Sequence, residues 1–253
     1  MSLVKVEYSP PLAMVTINRP EVLNAYNNQL LSELEAGITE VVAEEKIKAV
    51  ILTGKGTRAF SVGTDINWLE ELTPEEAGEL SRRGQKICKE IEEAPKVMIA
   101  AVNGYALGGG MELALACDLR IASTRARFGQ PEVSLGIIPG FDGSRRLPKI
   151  VGVGKAKEIL FTGDILDAQE ANRIGLVNRL VTPRDLIVES RELALKITEQ
   201  SSQAVRMVKK AIYFGVRNEE ERGSEFESRA FERCFADEET KERIKQLKEV
   251  ICD

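Results

Sequence analysis

The sequence predicts an α/β fold, and three observations carry that expectation. Short, β-branched and almost wholly apolar runs recur through the first 180 or so residues, amphipathic helical patterns stand between them, and from residue 185 onward the pattern turns helical only. Strands that are apolar on both faces need cover on both faces, so a chain that alternates them with helices implies a sheet packed between helices.

The strand candidates are 13–17, 49–53 and 97–102, then a weaker run at 119–122 and a last one at 175–181. Leu30, Leu31, Leu34, Ile38, Val41 and Val42 recur at helical spacing, and Pro74 stands where proline is best tolerated, at the start of a second helix. Four further helices are expected at 186–198, 204–214, 219–235 and 238–250. The chain therefore divides into an α/β core over 1–184 and a C-terminal helical region over 185–253. That region is too thin to stand alone, so it is expected to pack on the core or on a neighbouring subunit.

Composition narrows the chemistry. With 253 residues, 43% hydrophobic and 30% charged, the chain can bury an ordinary core. The net charge of −5 argues against a general nucleic-acid-binding surface, and the adjacent basic pairs Arg145-Arg146 and Lys209-Lys210 read as solvated helix faces rather than a basic comb. No apolar run is long enough to span a bilayer, and the N-terminus has no signal-peptide core, so a cytoplasmic location is expected. Four cysteines without C-x-x-C spacing read as reduced thiols. Histidine is absent, which removes Ser-His-Asp and Cys-His triads and histidine-based zinc sites. Acid–base chemistry near neutral pH then falls to carboxylates, lysine, tyrosine or cysteine.

The sharpest local signal is Asn103-Gly104-Tyr105-Ala106-Leu107-Gly108-Gly109-Gly110-Met111-Glu112, where a buried strand leads through three glycines into a small-residue helix. Glycine lets a ligand approach the backbone, and the free N–H groups at a helix start attract negative charge. Such a turn can hold an oxyanion, or the glycines can simply permit close packing; the local sequence leaves both open. Glu112 falls in the first turn of that helix, and Glu132 follows Pro131 at another helix start; each has a structural reading as an acid favoured by the helix dipole. A second turn, Phe60-Ser61-Val62-Gly63-Thr64-Asp65-Ile66, follows the strand at 49–53, with Asp65 capping the next helix and the Thr64 N–H left near the turn.

Taken together, five motifs resemble the enoyl-CoA hydratase/isomerase (crotonase) family over nearly the whole chain. They are Ile17-Asn18-Arg19-Pro20-Glu21-Val22-Leu23-Asn24-Ala25, the turn 60–66, the stretch 99–113, Phe128-Gly129-Gln130-Pro131-Glu132, and Leu135-Gly136-Ile137-Ile138-Pro139-Gly140. The resemblance implies a crotonase-like (ClpP/crotonase) spiral of repeated β-β-α units with a C-terminal helical oligomerisation region, assembled as a homotrimer or a dimer of trimers. It implies an enzyme acting on an acyl-coenzyme A thioester, with reversible hydration of a 2-enoyl-CoA to a 3-hydroxyacyl-CoA as the leading activity. A Δ3–Δ2 isomerase, decarboxylase or hydrolase of the same family is the alternative, and an RNA-binding or scaffold role a more distant one. By the same resemblance Glu112 and Glu132 are the catalytic pair. The N–H groups of Thr64 and Gly109 form an oxyanion hole, and Arg58, Val62, Ile66 and Gly140 contact substrate. No metal or separate cofactor is implied, coenzyme A being part of the substrate.

Three departures from the family pattern stand out. Asp142 occupies a position where glycine is usual, and is expected to cap the helix starting near Gly143, the alternative being a third carboxylate at the site. Glu21 and Asn67 stand where lysine is frequent. The ending 244–250 lacks the aromatic, basic character common in hydratases.

Overall fold

The structure is a computed structural model that describes residues 2–216, 231–232, 235–236 and 238–252. The expected helix at 219–235 lies mostly outside these residues.

The chain opens with an antiparallel pair, β1 (Val4–Ser9) and β2 (Leu12–Ile17), followed by α1 (Asn28–Ala43). From there the same unit is laid down repeatedly, one strand in a large sheet and the next in a small one before a helix returns. The second unit is β3 (Ala49–Gly54), β4 (Ala59–Ser61), α2 (Ile66–Glu71) and α3 (Pro74–Glu93). The third is β5 (Val97–Val102), β6 (Tyr105–Leu107) and α4 (Gly109–Ala116). The fourth is β7 (Leu119–Ser123), β8 (Arg127–Gly129), a 3-10 turn over Pro131–Leu135, and α5 (Gly143–Val151). After α6 (Val153–Thr162), β9 (Leu166–Asp167) and α7 (Ala168–Arg173), the strand β10 (Arg179–Val181) closes the large sheet. The sheets run β1-β2-β3-β5-β7-β10 and β4-β6-β8-β9, and β2 through β10 are parallel in the first. This is the expected spiral of β-β-α units.

Both faces of the large sheet are covered, as its apolar strands require. Val50 and Leu52 of β3 face the core shared with α1, α3 and α4, whereas Ala49 and Ile51 face α8 (Leu186–Thr198). Each fully buried side chain of that size stabilises the fold by about 1.5–3 kcal/mol, so continuous apolar runs mark the strands sandwiched on both sides. α9 (Ser202–Val216) is tied to the sheet by Lys209, whose ammonium donates to the Asp118 carboxylate at 2.8 Å and to the Lys96 carbonyl at 3.0 Å. The last helix, α10 (Glu238–Cys252), lies against α2 and the Pro131–Leu135 turn, where Thr240 donates to the Gly136 carbonyl at 3.0 Å.

Two expectations need correction. The run 175–181 is strand only over Arg179–Val181: Gly175 is left-handed with φ +78°, and Leu176 and Val177 are buried in the connection. Asp142 does occupy the N-cap position of α5, but its side chain makes no cap hydrogen bond; its backbone is left-handed, φ +73° and ψ +23°.

Candidate functional site

The site is built where the second, third and fourth units meet. In the second unit β4 ends at Ser61, and the chain turns through Gly63 (φ +83°) into α2. Thr64 forms a parallel bridge with Tyr26, in which the Tyr26 N–H donates to the Gly63 carbonyl at 2.7 Å and the Asp65 N–H donates to the Tyr26 carbonyl at 2.8 Å. In such a bridge the partner residue uses its neighbours' groups, so the Thr64 N–H points away from Tyr26. Asp65 caps α2 as expected, accepting from the Asn67 N–H at 3.1 Å and pairing with Arg19 at 2.6 Å. Burial pulls the Asp65 carboxyl up, but the Arg19 and Asn67 donors outweigh it and hold the group below its usual range. The Asn67 amide also donates to Asp65, at 3.0 Å, so it serves the cap.

In the third unit Gly108, with φ +50°, precedes α4, and Gly109 is the first helical residue, whose N–H has no partner within the helix. The two turns touch. A Cβ placed on Gly63 would lie 2.8 Å from the Gly109 nitrogen. A Cβ on Gly110 would lie 2.0 Å from the Ser61 carbonyl oxygen, so α4 reaches β4 only because residue 110 has no side chain. Thr64 and Gly109 are half-buried, whereas the carboxylates behind them are not exposed: Glu112 shows 1% of its surface and Glu132 8%.

Glu112 and Glu132 belong to different units and approach the same buried side chain, Gln130. The Oε1 of Glu112 accepts from the Phe141 N–H at 2.8 Å and the Gly143 N–H at 2.6 Å. The Oε1 of Glu132 lies 3.1 Å from where a Cβ on Gly108 would stand. Between the two sits the fully buried amide of Gln130. Turned so that its nitrogen faces Glu132, it donates to both carboxylate oxygens, at 2.8 and 3.1 Å. Gln130 also approaches Glu112, because a Cβ on Gly143 would be 2.8 Å from Glu112 Oε1 and 3.0 Å from the Gln130 amide. In the sequence Gln130 is visible only as part of the motif 128–132, an amide two residues before Glu132.

The other titratable groups nearby are silenced. Burial pushes the Tyr26 phenol and the Cys88 thiol up, and the Cys117 thiol up to about 12. All three stay protonated at neutral pH, which leaves the carboxylates for proton transfer. The rings of Tyr26 and Phe141 stack with centroids 6.3 Å apart, and both press on Gly109, where a Cβ would lie 3.2 Å from Phe141 and 3.3 Å from Tyr26.

The remaining expected site residues are distributed around this centre. Val62 and Ile66 flank the Gly63–Thr64 turn and are half-buried, and the Val62 carbonyl approaches Gly108. Gly140 is buried, and its carbonyl accepts from Ser81 at 2.6 Å and Gln85 at 3.3 Å. Arg58 is exposed at the opposite end of β4 from Val62, so it does not join the carboxylates. The two basic pairs form no comb, but they are not the solvated helix faces expected either: Lys209 is buried against Asp118, and Arg145 and the buried Arg146 are engaged with Glu92 and Asp142. Among the described residues, no cluster of three cysteine or acidic side chains is arranged to hold a metal ion. A surface cleft of about 610 Å³ between the end of α3 and α9 is lined by Glu92, Pro95, Met207 and Tyr213 among others, and by none of the expected site residues.

The sequence model for enoyl-CoA hydratase/isomerase matches residues 7–250. The chain belongs to that family. Crotonyl-CoA hydratase of Syntrophomonas wolfei is 45% identical over 237 residues, covering 94% of this chain and 91% of the relative. Short-chain-enoyl-CoA hydratase of Clostridium acetobutylicum is 45% identical over 241 residues, covering 95% and 92%. The crystal structure of an enoyl-CoA hydratase from Bacillus anthracis superposes with a TM-score of 0.83 at 37% identity, covering 98% of this chain and 96% of that one. Within an enoyl-CoA hydratase/isomerase fold, the paired turns and the two glutamates become the natural place to look for chemistry.

Proposed function

We propose that this enzyme hydrates a short 2-enoyl-CoA reversibly to the 3-hydroxyacyl-CoA, with Glu112 and Glu132 as the catalytic pair. The observation that carries the reading is a pair of buried carboxylates from separate β-β-α units that both approach the buried Gln130 amide, Glu132 beside Gly108 and Glu112 on the Phe141 and Gly143 N–H groups. Relatives at 45% identity are named for the same reaction class.

The chemistry follows from the groups present. Glu112, whose Oε1 accepts from two main-chain N–H groups, takes a proton from water as the water oxygen bonds to Cβ. The π electrons of the Cα–Cβ bond move toward the thioester, leaving negative charge on its carbonyl oxygen. The N–H groups of Thr64 and Gly109 stabilise that charge more than the neutral ground state, and Glu132 delivers a proton to Cα. In other enzymes one such donor contributes roughly 2.7–4 kcal/mol. The proton that Glu112 has taken returns through solvent to Glu132, so that over one cycle a water molecule supplies the hydroxyl on Cβ and the hydrogen on Cα, and coenzyme A enters as part of the substrate.

The rings of Tyr26 and Phe141 close the space beside Gly109, which suits a short acyl group. Val62 and Ile66 would line the nucleotide side, with Arg58 and Gly140 completing the substrate contacts. Met207, Val208 and Ile212 are exposed apolar residues of α9, and they support a homotrimer or a dimer of trimers formed through the C-terminal helices of 185–253. The reduced, buried thiols of Cys88 and Cys117 suit the cytoplasm as the location.

Loss of the 2-enoyl thioester absorbance with crotonyl-CoA and longer homologues tests the reading. The wild-type enzyme is expected to hydrate crotonyl-CoA fastest, and Glu112→Gln and Glu132→Gln each to lower kcat by about 10²–10⁴. Either variant within a few-fold of wild type would remove that glutamate from the mechanism. Light scattering that finds a stable monomer would defeat the trimer.

A further inference from the structure

Asp142 occupies the N-cap position of α5, yet its side chain makes no cap hydrogen bond. Its left-handed backbone, φ +73°, places it at the centre of the turn whose flanking N–H groups, on Phe141 and Gly143, both donate to Glu112 Oε1. A turn with a left-handed residue at its centre rotates successive N–H groups to one side and makes a concavity for an anion.

Every carbonyl of this turn is held from behind. Ser81 and Gln85 of α3 donate to the Gly140 carbonyl. Arg146 donates to the Phe141 carbonyl at 2.7 Å, and the Asp142 carbonyl accepts the N–H groups of Arg145 and Arg146 at 3.1 and 2.9 Å. The Asp142 side chain, 2% exposed, is gripped in turn: its Oδ2 lies 3.0 Å from Arg145 and 3.7 Å from Arg146. Both arginines also reach Glu92, at 3.4 and 3.0 Å. The four charges sum to zero, so the buried cluster is self-compensating.

We propose that Asp142 and Arg146 are positioning residues for Glu112: together they hold the 140–143 turn in the one shape that presents two N–H groups to that carboxylate. The proposal rests on Glu112 being the base of the hydration. Aspartate tolerates the left-handed region better than alanine does, and the two arginines hold it there. The ionisable groups around Glu112 are Tyr26 before α1, Cys88 and Glu92 of α3, Glu132 in the turn after β8, and Asp142, Arg145 and Arg146 at the start of α5.

The test compares Asp142→Gly, Asp142→Asn and Asp142→Ala in the full-length enzyme with crotonyl-CoA. Glycine and alanine remove the same charge and differ only in how readily they take φ +73°. Alanine is expected to lower kcat roughly tenfold further than glycine, with KM for the two variants within about twofold of each other. The acid limb of its kcat–pH profile should lie above that of the glycine variant, because fewer N–H bonds then favour the ionised carboxylate. Asparagine, which enters the left-handed region more readily than alanine, should recover most of the difference. If all three share one kcat and one acid limb, the proposal fails. Should Asp142→Ala not fold, as judged by circular dichroism, Arg146→Lys decides. A single ammonium keeps the charge but cannot fork between the Phe141 carbonyl and Glu92. Its kcat should fall and its acid limb rise at near-constant KM, and a wild-type profile in it would overturn the proposal. Glu112→Gln run alongside separates the two readings: if it stays active, the assignment of Glu112 as the base is wrong. If it is inactive while the Asp142 series is flat, only the positioning role is lost.

Discussion

Glu112 and Glu132 are both buried and both approach Gln130, yet they are held in different ways. Main-chain N–H groups fixed by a cluster of four buried charges grip Glu112, whereas a side-chain amide, that of Gln130, donates to Glu132. Main-chain donors braced at every carbonyl cannot rotate away, but a glutamine amide can follow the group it serves. The difference suits the division of labour proposed above. A base must keep its charge and its aim, while an acid that gains and gives up a proton needs a partner able to adjust.

Matched glycine substitutions separate the two poles. Gly108→Ala should have the larger effect, because it places a Cβ 3.1 Å from Glu132 Oε1 at a backbone angle that L residues rarely adopt. That strain is worth about 1–3 kcal/mol, read as a lower Tm. Displacing the carboxylate and the adjoining Gly109 amide should lower kcat by up to about a hundredfold. Gly143→Ala, whose Cβ would sit 2.8 Å from Glu112 Oε1, needs no left-handed angle. It should cost less Tm than Gly108→Ala and lower kcat by about tenfold, acting first through Glu112 and to a lesser degree through the Gln130 amide 3.0 Å from the same Cβ. Equal losses of Tm in the two variants would show that the poles are not mechanically separate.

A smaller effect tests the weaker tether. Gln130→Leu removes the Gln130 amide donor from Glu132 while leaving the Phe141 and Gly143 N–H bonds to Glu112 in place, and a hydrogen bond of this kind contributes about 1 kcal/mol. A few-fold fall in kcat is the expected result in the crotonyl-CoA assay. A loss as deep as that of Glu132→Gln would mean that the amide does more than hold the carboxylate.

The contrast also explains what was legible in the sequence. β2, β3, β5 and β7 announce themselves because a strand covered on both faces is apolar at nearly every position. The strands of the small sheet, β4, β6, β8 and β9, are two or three residues long, too short to carry a period, and only the resemblance implied them. β1 does alternate, with Val4 and Val6 facing in between Lys5 and Glu7, but a search for continuous apolar runs passes over it. The glutamates could be read from their motifs. Their tethers could not, because they are contacts between units far apart in sequence: Glu112 with Phe141 and Gly143, and Arg146 with Glu92. Asp142 misleads for a related reason. Aspartate before a helix reads as a cap, and only its contacts in the folded chain show that the side chain meets Arg145 and Arg146 instead.

Asp65 supplies the smallest effect and a control, since it is a carboxylate beside the Thr64 turn with a structural partner. Its folded-state pKa is depressed, by the Arg19 and Asn67 donors against the opposing pull of burial. The stability it adds is therefore present above the unfolded value near 3.9 and disappears as pH falls through the lower folded value. Asp65→Asn keeps an oxygen able to cap α2 but loses the charge opposite Arg19, so it should lower stability at pH 7 by about 1 kcal/mol. That deficit should shrink when Tm is followed from pH 7 down to pH 3, because the wild-type carboxyl protonates while the amide does not change. A deficit that stays constant across that range would place the contribution of Asp65 in its shape rather than its charge. It would then join the glycines, rather than the glutamates, as a determinant of the turn.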